Sequence, residues 1–260
     1  MRTSWKIGRV MGIDLYLHPT FLMLLVFIGA MQGGLESVLL ASATFGCVLL
    51  HELGHALMAR RFGIETEDIT LYPIGGIARL KRMPRAPGAE LLIAMAGPMV
   101  NVLIVGILVA ALGVLDGSGL DLFLGSLMQI NIILAAFNLI PAFPMDGGRV
   151  LRALLSGWLG RARATMVAAG LGRGLAVLFG LYCLFNAMWI QAFLAAFIYF
   201  AAGAELARVL AEERRRDGIL YGEGIWTAPP GYHWVNRGNG VWQLAPIPIH
   251  VTRRDGSPWA

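Results

Sequence analysis

Lysine and arginine are confined to four blocks of this chain, Arg2 to Arg9, Arg60 to Arg85, Arg149 to Arg173 and Arg208 to Arg254, and the stretches between them carry none. The first two cation-free stretches are each long enough for two membrane crossings, since one helical crossing takes roughly 20 apolar residues, and the third, of 34 residues, accommodates two if one of them extends back over Arg173. Composition agrees. Hydrophobic residues make up 57% of the 260 and charged residues only 14%, against roughly 45–50% and 25% in soluble domains, so a water-facing surface would be hard to furnish. The 33 glycines and 12 methionines sit inside apolar runs, which excludes collagen-like and low-complexity chains. The net charge of +5 is therefore a matter of membrane topology and gives no ground for nucleic-acid binding.

Six candidate spans emerge, at about residues 18–34, 36–59, 89–115, 120–140, 164–185 and 187–207. The first is short and the fifth contains Arg173. The connections around Gln32 to Glu36, Asp116 to Asp121 and Asn186 have no Lys or Arg, while the termini and alternate connections hold 20 of the 21, Arg173 being the one inside a span. By the positive-inside rule both termini are expected to be cytoplasmic, and the compact chain without organelle targeting fits a prokaryotic inner membrane. No cleavable signal peptide is expected, because the first apolar run lacks a small-residue cleavage site and flows into a second span. Residues 63–88 are a polar connection in which Ile69 to Tyr72 and Ile77 to Leu80 flank Pro73-Ile-Gly-Gly76 like two strands around a turn. After Arg208 the chain becomes rich in Gly, Pro and Trp, with Trp226, Trp234, Trp242 and Trp259. The expected fold is thus an all-α polytopic membrane protein of about six transmembrane helices with a small cytoplasmic β-hairpin-like segment. Residues 1–211 would form the transmembrane core and 212–260 a cytoplasmic accessory tail. Cys47 and Cys183 lie in apolar segments and read as packing residues.

His51-Glu-Leu-Gly-His55, on the second span, is an H-E-x-x-H motif whose positions i and i+4 put both imidazoles on one helical face. That spacing can hold one zinc ion. Glu52, one position round, can reach a metal-bound water as general base without being a ligand. A catalytic zinc site takes three protein ligands and leaves the fourth position open, so a third ligand is required. Asp146 is the best candidate, in Asn138-Leu-Ile-Pro-Ala-Phe-Pro-Met-Asp146-Gly-Gly148 directly after the fourth span. Both spans travel inward, and His51 lies nine residues before Arg60, roughly 14 Å from the cytoplasmic end. The prolines break the fourth helix before Asp146, which lets it approach the histidines at membrane depth. Asn138 is placed either to donate to a developing oxyanion or to cap the broken helix.

At these residues the chain resembles the site-2 protease family of intramembrane zinc metallopeptidases. The resemblance runs over roughly residues 7–208. It rests on His51 to His55, Leu71 to Leu80, Ala96-Gly-Pro-Met-Val-Asn101 and Asn138 to Arg149. It implies a six-span catalytic core in which His51, His55 and Asp146 bind one zinc ion and Glu52 activates water. It also implies that the substrate is a membrane-anchored protein cleaved within or beside its transmembrane segment, and makes Asn101 a neighbour of the site, where helix–helix hydrogen bonding is an equal reading. Many relatives carry a PDZ insertion or a CBS pair. Only about 50 residues follow Arg208 here, too few for a CBS pair, so regulation by nucleotide is not carried over.

A transmembrane substrate must unwind before its peptide bonds can be cut. The segment Gly75, Gly76, Ile77, Ala78, Arg79 and Leu80 is a candidate edge strand for capturing the unwound chain by strand addition, with an ordinary surface hairpin as the alternative. The rival to a peptidase is a zinc-binding transporter or silent scaffold, since intramembrane His and Asp also mark ion pathways. The intact Glu52, and the clustering of polar groups toward one side, favour the peptidase. A third reading makes the Trp-rich tail the active part and the core its anchor.

Overall fold

The apolar stretches form long helices because only a helix satisfies every backbone group within one segment in lipid. In the computed structural model, which describes residues 4–31, 34–73, 75–81, 84, 86–115, 119–221, 228–229, 231–236 and 242–246, five helices are long and apolar enough to cross a membrane. These are α2 (Leu35–Arg61), α3 (Pro87–Val114), α4 (Asp121–Asn138), α6 (Arg161–Phe185) and α7 (Trp189–Tyr221). The first expected span is the shorter α1 (Pro19–Met31), of 13 residues. At 1.5 Å per residue α1 measures about 20 Å, less than the roughly 30 Å hydrocarbon core. A further helix, α5 (Asp146–Leu159), follows the Pro-containing break after α4.

The membrane core also carries a four-stranded sheet, larger than the hairpin expected from residues 69–80. Its strands, in spatial order, are β1 (Trp5–Val10), β2 (Ile13–Leu17), β3 (Thr66–Tyr72) and β4 (Gly75–Leu80). β1 and β2 form an antiparallel hairpin through Met11 and Gly12, both at positive φ (49° and 88°), the combination a two-residue turn of matching twist requires. β2 pairs parallel with β3, Asp14 opposite Asp68 and Leu17 opposite Leu71, and the connection between them is the α1–α2 pair. β3 and β4 are antiparallel, with Thr70 opposite Ile77 and Tyr72 opposite Gly75.

Apolar side chains of the sheet, Ile13, Leu15 and Ile69, cluster with Ala56 of α2 and are flanked by Leu49, Leu53 and Ala78. This seats the sheet on the helix that carries the histidines. Arg79 donates two hydrogen bonds to the buried Asp68 at 2.8 and 2.7 Å, a bidentate pair that ties β4 to β3. α3 approaches α2 so closely that a Cβ on Gly54 would stand 2.9 Å from the Ala96 carbonyl oxygen. Cys47 packs with Leu108 and Leu127, and both cysteines are buried and free.

The chain divides into two compact units, Met1–Val209 and Leu210–Ala260. α7 continues past Arg208 to Tyr221, because Ala211-Glu-Glu-Arg-Arg-Arg216 is a run of strong helix formers. In the second unit β5 (Tyr232–Asn236) and β6 (Trp242–Pro246) form an antiparallel pair, with Trp234 opposite Leu244. Trp226 and Trp259 lie outside the described residues.

Candidate metal centre

The H-E-x-x-H turn lies in the second half of α2, with His51 and His55 both buried. Asp146 reaches them because α4 stops at Asn138 and the chain doubles back through Leu139 to Met145. Ala142 N–H donates to Ile140 O at 2.7 Å and Met145 N–H to Ala142 O at 3.1 Å, and the Phe143–Pro144 peptide is cis. Asp146 then opens α5, where the helix N-terminus favours a carboxylate. The two glycines after it are steric necessities. A Cβ on Gly147 would lie 2.2 Å from Ile140 O, and one on Gly148 would lie 2.6 Å from the Ala142 carbonyl carbon.

Nε2 of His51 and Nε2 of His55 are 3.1 Å apart, and they lie 3.1 and 3.0 Å respectively from Asp146 Oδ2. The other ring nitrogens decide what these atoms are. His55 Nδ1 is 2.7 Å from the Ile93 carbonyl oxygen, which only accepts, so Nδ1 carries the proton and donates it. His51 Nδ1 faces Asn101 Oδ1 at 3.3 Å and donates likewise. In its neutral form each imidazole with this tautomer presents a lone pair at Nε2. With both imidazoles neutral, the three atoms are acceptors in a near-equilateral triangle, the donor arrangement that a cation would draw together. Tetrahedral zinc ligands at about 2.0–2.1 Å from the metal stand about 3.3 Å apart, close to the observed spacing. The donor set fits one metal ion.

The centre opens into a cavity of about 390 Å³ lined by His51, Glu52, His55, Gly75 to Ala78, Asn138, Asp146 and Arg149, among others. Glu52 is half-buried beside the histidines. The side-chain amide of Asn138 forms no hydrogen bond with another described residue, and its helix is closed by backbone bonds from Leu139. β4 is an edge strand, and four of its six residues line the cavity. Its two glycines serve differently. Gly75 has φ 133°, a conformation that favours glycine, whereas a Cβ on Gly76 would lie 2.7 Å from Glu52 Cγ. Arg79 is committed to Asp68 and is not among the described lining residues.

Several contributors were not singled out from the sequence. Gly97 is the most constrained, for a Cβ there would fall 2.3 Å from His55 Nε2 and 2.6 Å from His51 Nε2. Arg149 brings a cation to the cavity wall. Arg152, only 1% exposed, donates from Nε to Glu90 Oε1 at 2.6 Å and from Nη1 to Glu205 Oε1 at 2.9 Å. Its guanidinium also covers the Phe143 ring at 4.9 Å. Arg152 thereby fixes α5 and the loop before it against α3 and α7.

Comparison with known proteins agrees with this arrangement. The family model described as Peptidase family M50 matches residues 39–120 and 115–181. The chain belongs to peptidase family M50. It is 39% identical over 237 residues to Zinc metalloprotease MJ0392 of Methanocaldococcus jannaschii, covering 89% of this chain and 68% of the relative. It is 30% identical over 272 residues to the putative zinc metalloprotease Rip3 of Mycobacterium tuberculosis, covering 91% and 67%. The solved structure "Site-2 Protease from Methanocaldococcus jannaschii" superposes with a TM-score of 0.61 at 38% identity, covering 78% of this chain and 95% of that one. The expected membership, the largely helical membrane fold and the class of zinc metalloprotease integral to the membrane therefore hold.

Proposed function

We propose that this peptidase hydrolyses membrane-anchored proteins within or next to a transmembrane segment, as a step of regulated proteolysis. His51, His55 and Asp146 would hold one zinc ion, with Glu52 and Asn138 as the catalytic side chains. The observation that carries the reading is the convergence of two imidazole nitrogens and a carboxylate oxygen on a cavity that also contains Glu52 and the Asn138 amide. Bound there, zinc supplies Lewis acidity and a water acidified toward neutral pH. Glu52 takes the proton that the water loses as its oxygen attacks the scissile carbonyl carbon. The Asn138 amide donates to the carbonyl oxygen as it gains charge. Glu52 then returns the proton to the amine nitrogen as the C–N bond breaks, and regains its starting state.

The edge strand β4 supports the substrate assignment. An extended chain pairing with Gly75 to Leu80 would lie along the cavity wall, held by main-chain hydrogen bonds that a helical segment cannot offer. Orientation with both termini cytoplasmic in a prokaryotic inner membrane is supported by the cation distribution. The deciding experiment is membrane proteomics on cells carrying the active protein or Glu52→Gln. Accumulation of intact single-span proteins in the variant is expected. An unchanged membrane proteome in the presence of a folded, zinc-loaded variant would refute the reading.

A further inference from the structure

Two arginines of the membrane core are treated very differently by the fold. Arg152 meets two carboxylates, but Arg173, midway along α6, has no ion pair among the described residues. Its Nε is buried without a hydrogen-bond partner. Its guanidinium carbon lies 4.4 Å from the Tyr199 ring centroid, and a Cβ on Gly203 would approach its Nη2 to 3.4 Å. Arg173 follows Arg161 by 12 residues, so its backbone is about 18 Å along α6. An intramembrane cation is costly and points to an anionic partner.

Next to this cation lies an apolar cleft between α6 and α7, of about 580 Å³. It runs from Ala176 to Leu184 on one side and from Trp189 to Phe200 on the other, and Tyr199 belongs to its wall. The α6 side measures about 12 Å along the helix axis. Its floor is tight, because a Cβ on Gly180 would touch the Ala195 methyl group at 3.3 Å. A cleft between two helices this close suits a thin chain, whereas a third helix is about 10–12 Å across.

We propose that the cleft between α6 and α7 binds one acyl chain of an anionic phospholipid whose phosphate is held by Arg173. A phospholipid supplies an anion and an apolar chain in one molecule, which is the juxtaposition the fold presents. The guanidinium fork matches phosphate oxygens. Helical side chains reach back toward their own N-terminus, so the guanidinium extends toward Arg161 and the polar end of α6. The chain then runs the other way toward Leu184, as it would in a lipid hanging from the leaflet nearest Arg161.

The test is native mass spectrometry of the delipidated full chain in detergent, titrated in parallel with phosphatidylglycerol and phosphatidylcholine. Wild type should retain one phosphatidylglycerol and bind phosphatidylcholine several-fold more weakly. Arg173→Gln should weaken phosphatidylglycerol about fivefold, the weight of one lipid-facing cation, and Arg173→Lys should restore most of it. Ala196→Phe fills the exposed cleft wall without entering the core and should prevent retention. If Arg173→Gln fails to fold, Ala196→Phe and the comparison of the two lipids decide the matter alone. The proposal is overturned by equal retention of both lipids, by undiminished phosphatidylglycerol in Ala196→Phe, or by a helical peptide with a midspan glutamate binding where phosphatidylglycerol does not.

Discussion

Gly97→Ala places one methyl group where the structure has no room for it. The added carbon would fall 2.3 Å from His55 Nε2 and 2.6 Å from His51 Nε2, against ordinary contacts of about 3.5 Å. One imidazole or α3 itself must therefore retreat by about 1 Å, whereas metal sites tolerate about 0.2 Å. Withdrawal of α3 is no escape. Ile93 and Asn101 on that helix hold the two Nδ1 protons, and those bonds would be stretched instead. Loss of such outer hydrogen bonds alone costs about 10–100-fold in metal affinity, so zinc affinity should fall at least about 100-fold. The assay is zinc content after equilibration with a graded chelator, with thermal unfolding as the fold control. Gly106→Ala, on the same helix where a Cβ meets nothing, should keep its zinc and gain about 0.5–1 kcal/mol from the helix preference for alanine. Wild-type zinc affinity in Gly97→Ala would refute the proposed geometry of the centre.

Asp146→Ala should remove zinc from the folded protein, checked by metal analysis; undiminished zinc would exclude it as a ligand. Asn138→Ala should keep zinc and lower kcat about 10²–10³-fold with little change in KM if its amide serves the oxyanion, as read on a membrane substrate by single-turnover kinetics. Ala78→Pro removes one donor from the β4 edge and should slow cleavage of a helical membrane substrate, while an unchanged rate in a zinc-loaded variant would rule out strand capture by this segment. Arg152→Met leaves buried Glu90 without its cation and should destabilise the fold by about 3–5 kcal/mol. Adding Glu90→Gln should recover part of that loss in a denaturation series.

The cluster of His51, His55 and Asp146 was legible because it is written in short spacings, i and i+4 for the two histidines and a proline break before Asp146. Gly97 was not, since its importance lies in what a side chain there would strike, and Ala96-Gly-Pro98 otherwise reads as an ordinary apolar helix. The N-terminal hairpin escaped for a local reason. Met11-Gly12 lacks the Asn-Gly or Asp-Gly signature of a two-residue turn, although Ile13, Leu15 and Leu17 do alternate with Asp14 and Tyr16. α5 was hidden by its own opening, because Asp146-Gly-Gly148 reads as a turn until the loop that needs both glycines is in view. The short α1 shows the limit of counting apolar residues, for the span expected at 18–34 became a helix of 13 residues.

The parallel pairing of β2 with β3 makes the sheet contingent on membrane insertion. The two strands are joined only through α1 and α2, so their register cannot form until the chain has left the strand-forming side, turned and come back. Non-local pairing of this kind closes late. The edge strand β4 hangs on β3, and β3 emerges directly after α2. Synthesis thus delivers the histidine helix before the wall of the cavity that faces it, and Asp146 only after two further helices. A ribosome-bound chain halted anywhere before residue 146 would lack the proposed third metal ligand, so on that proposal proteolytic competence would arise only after insertion has advanced past α4.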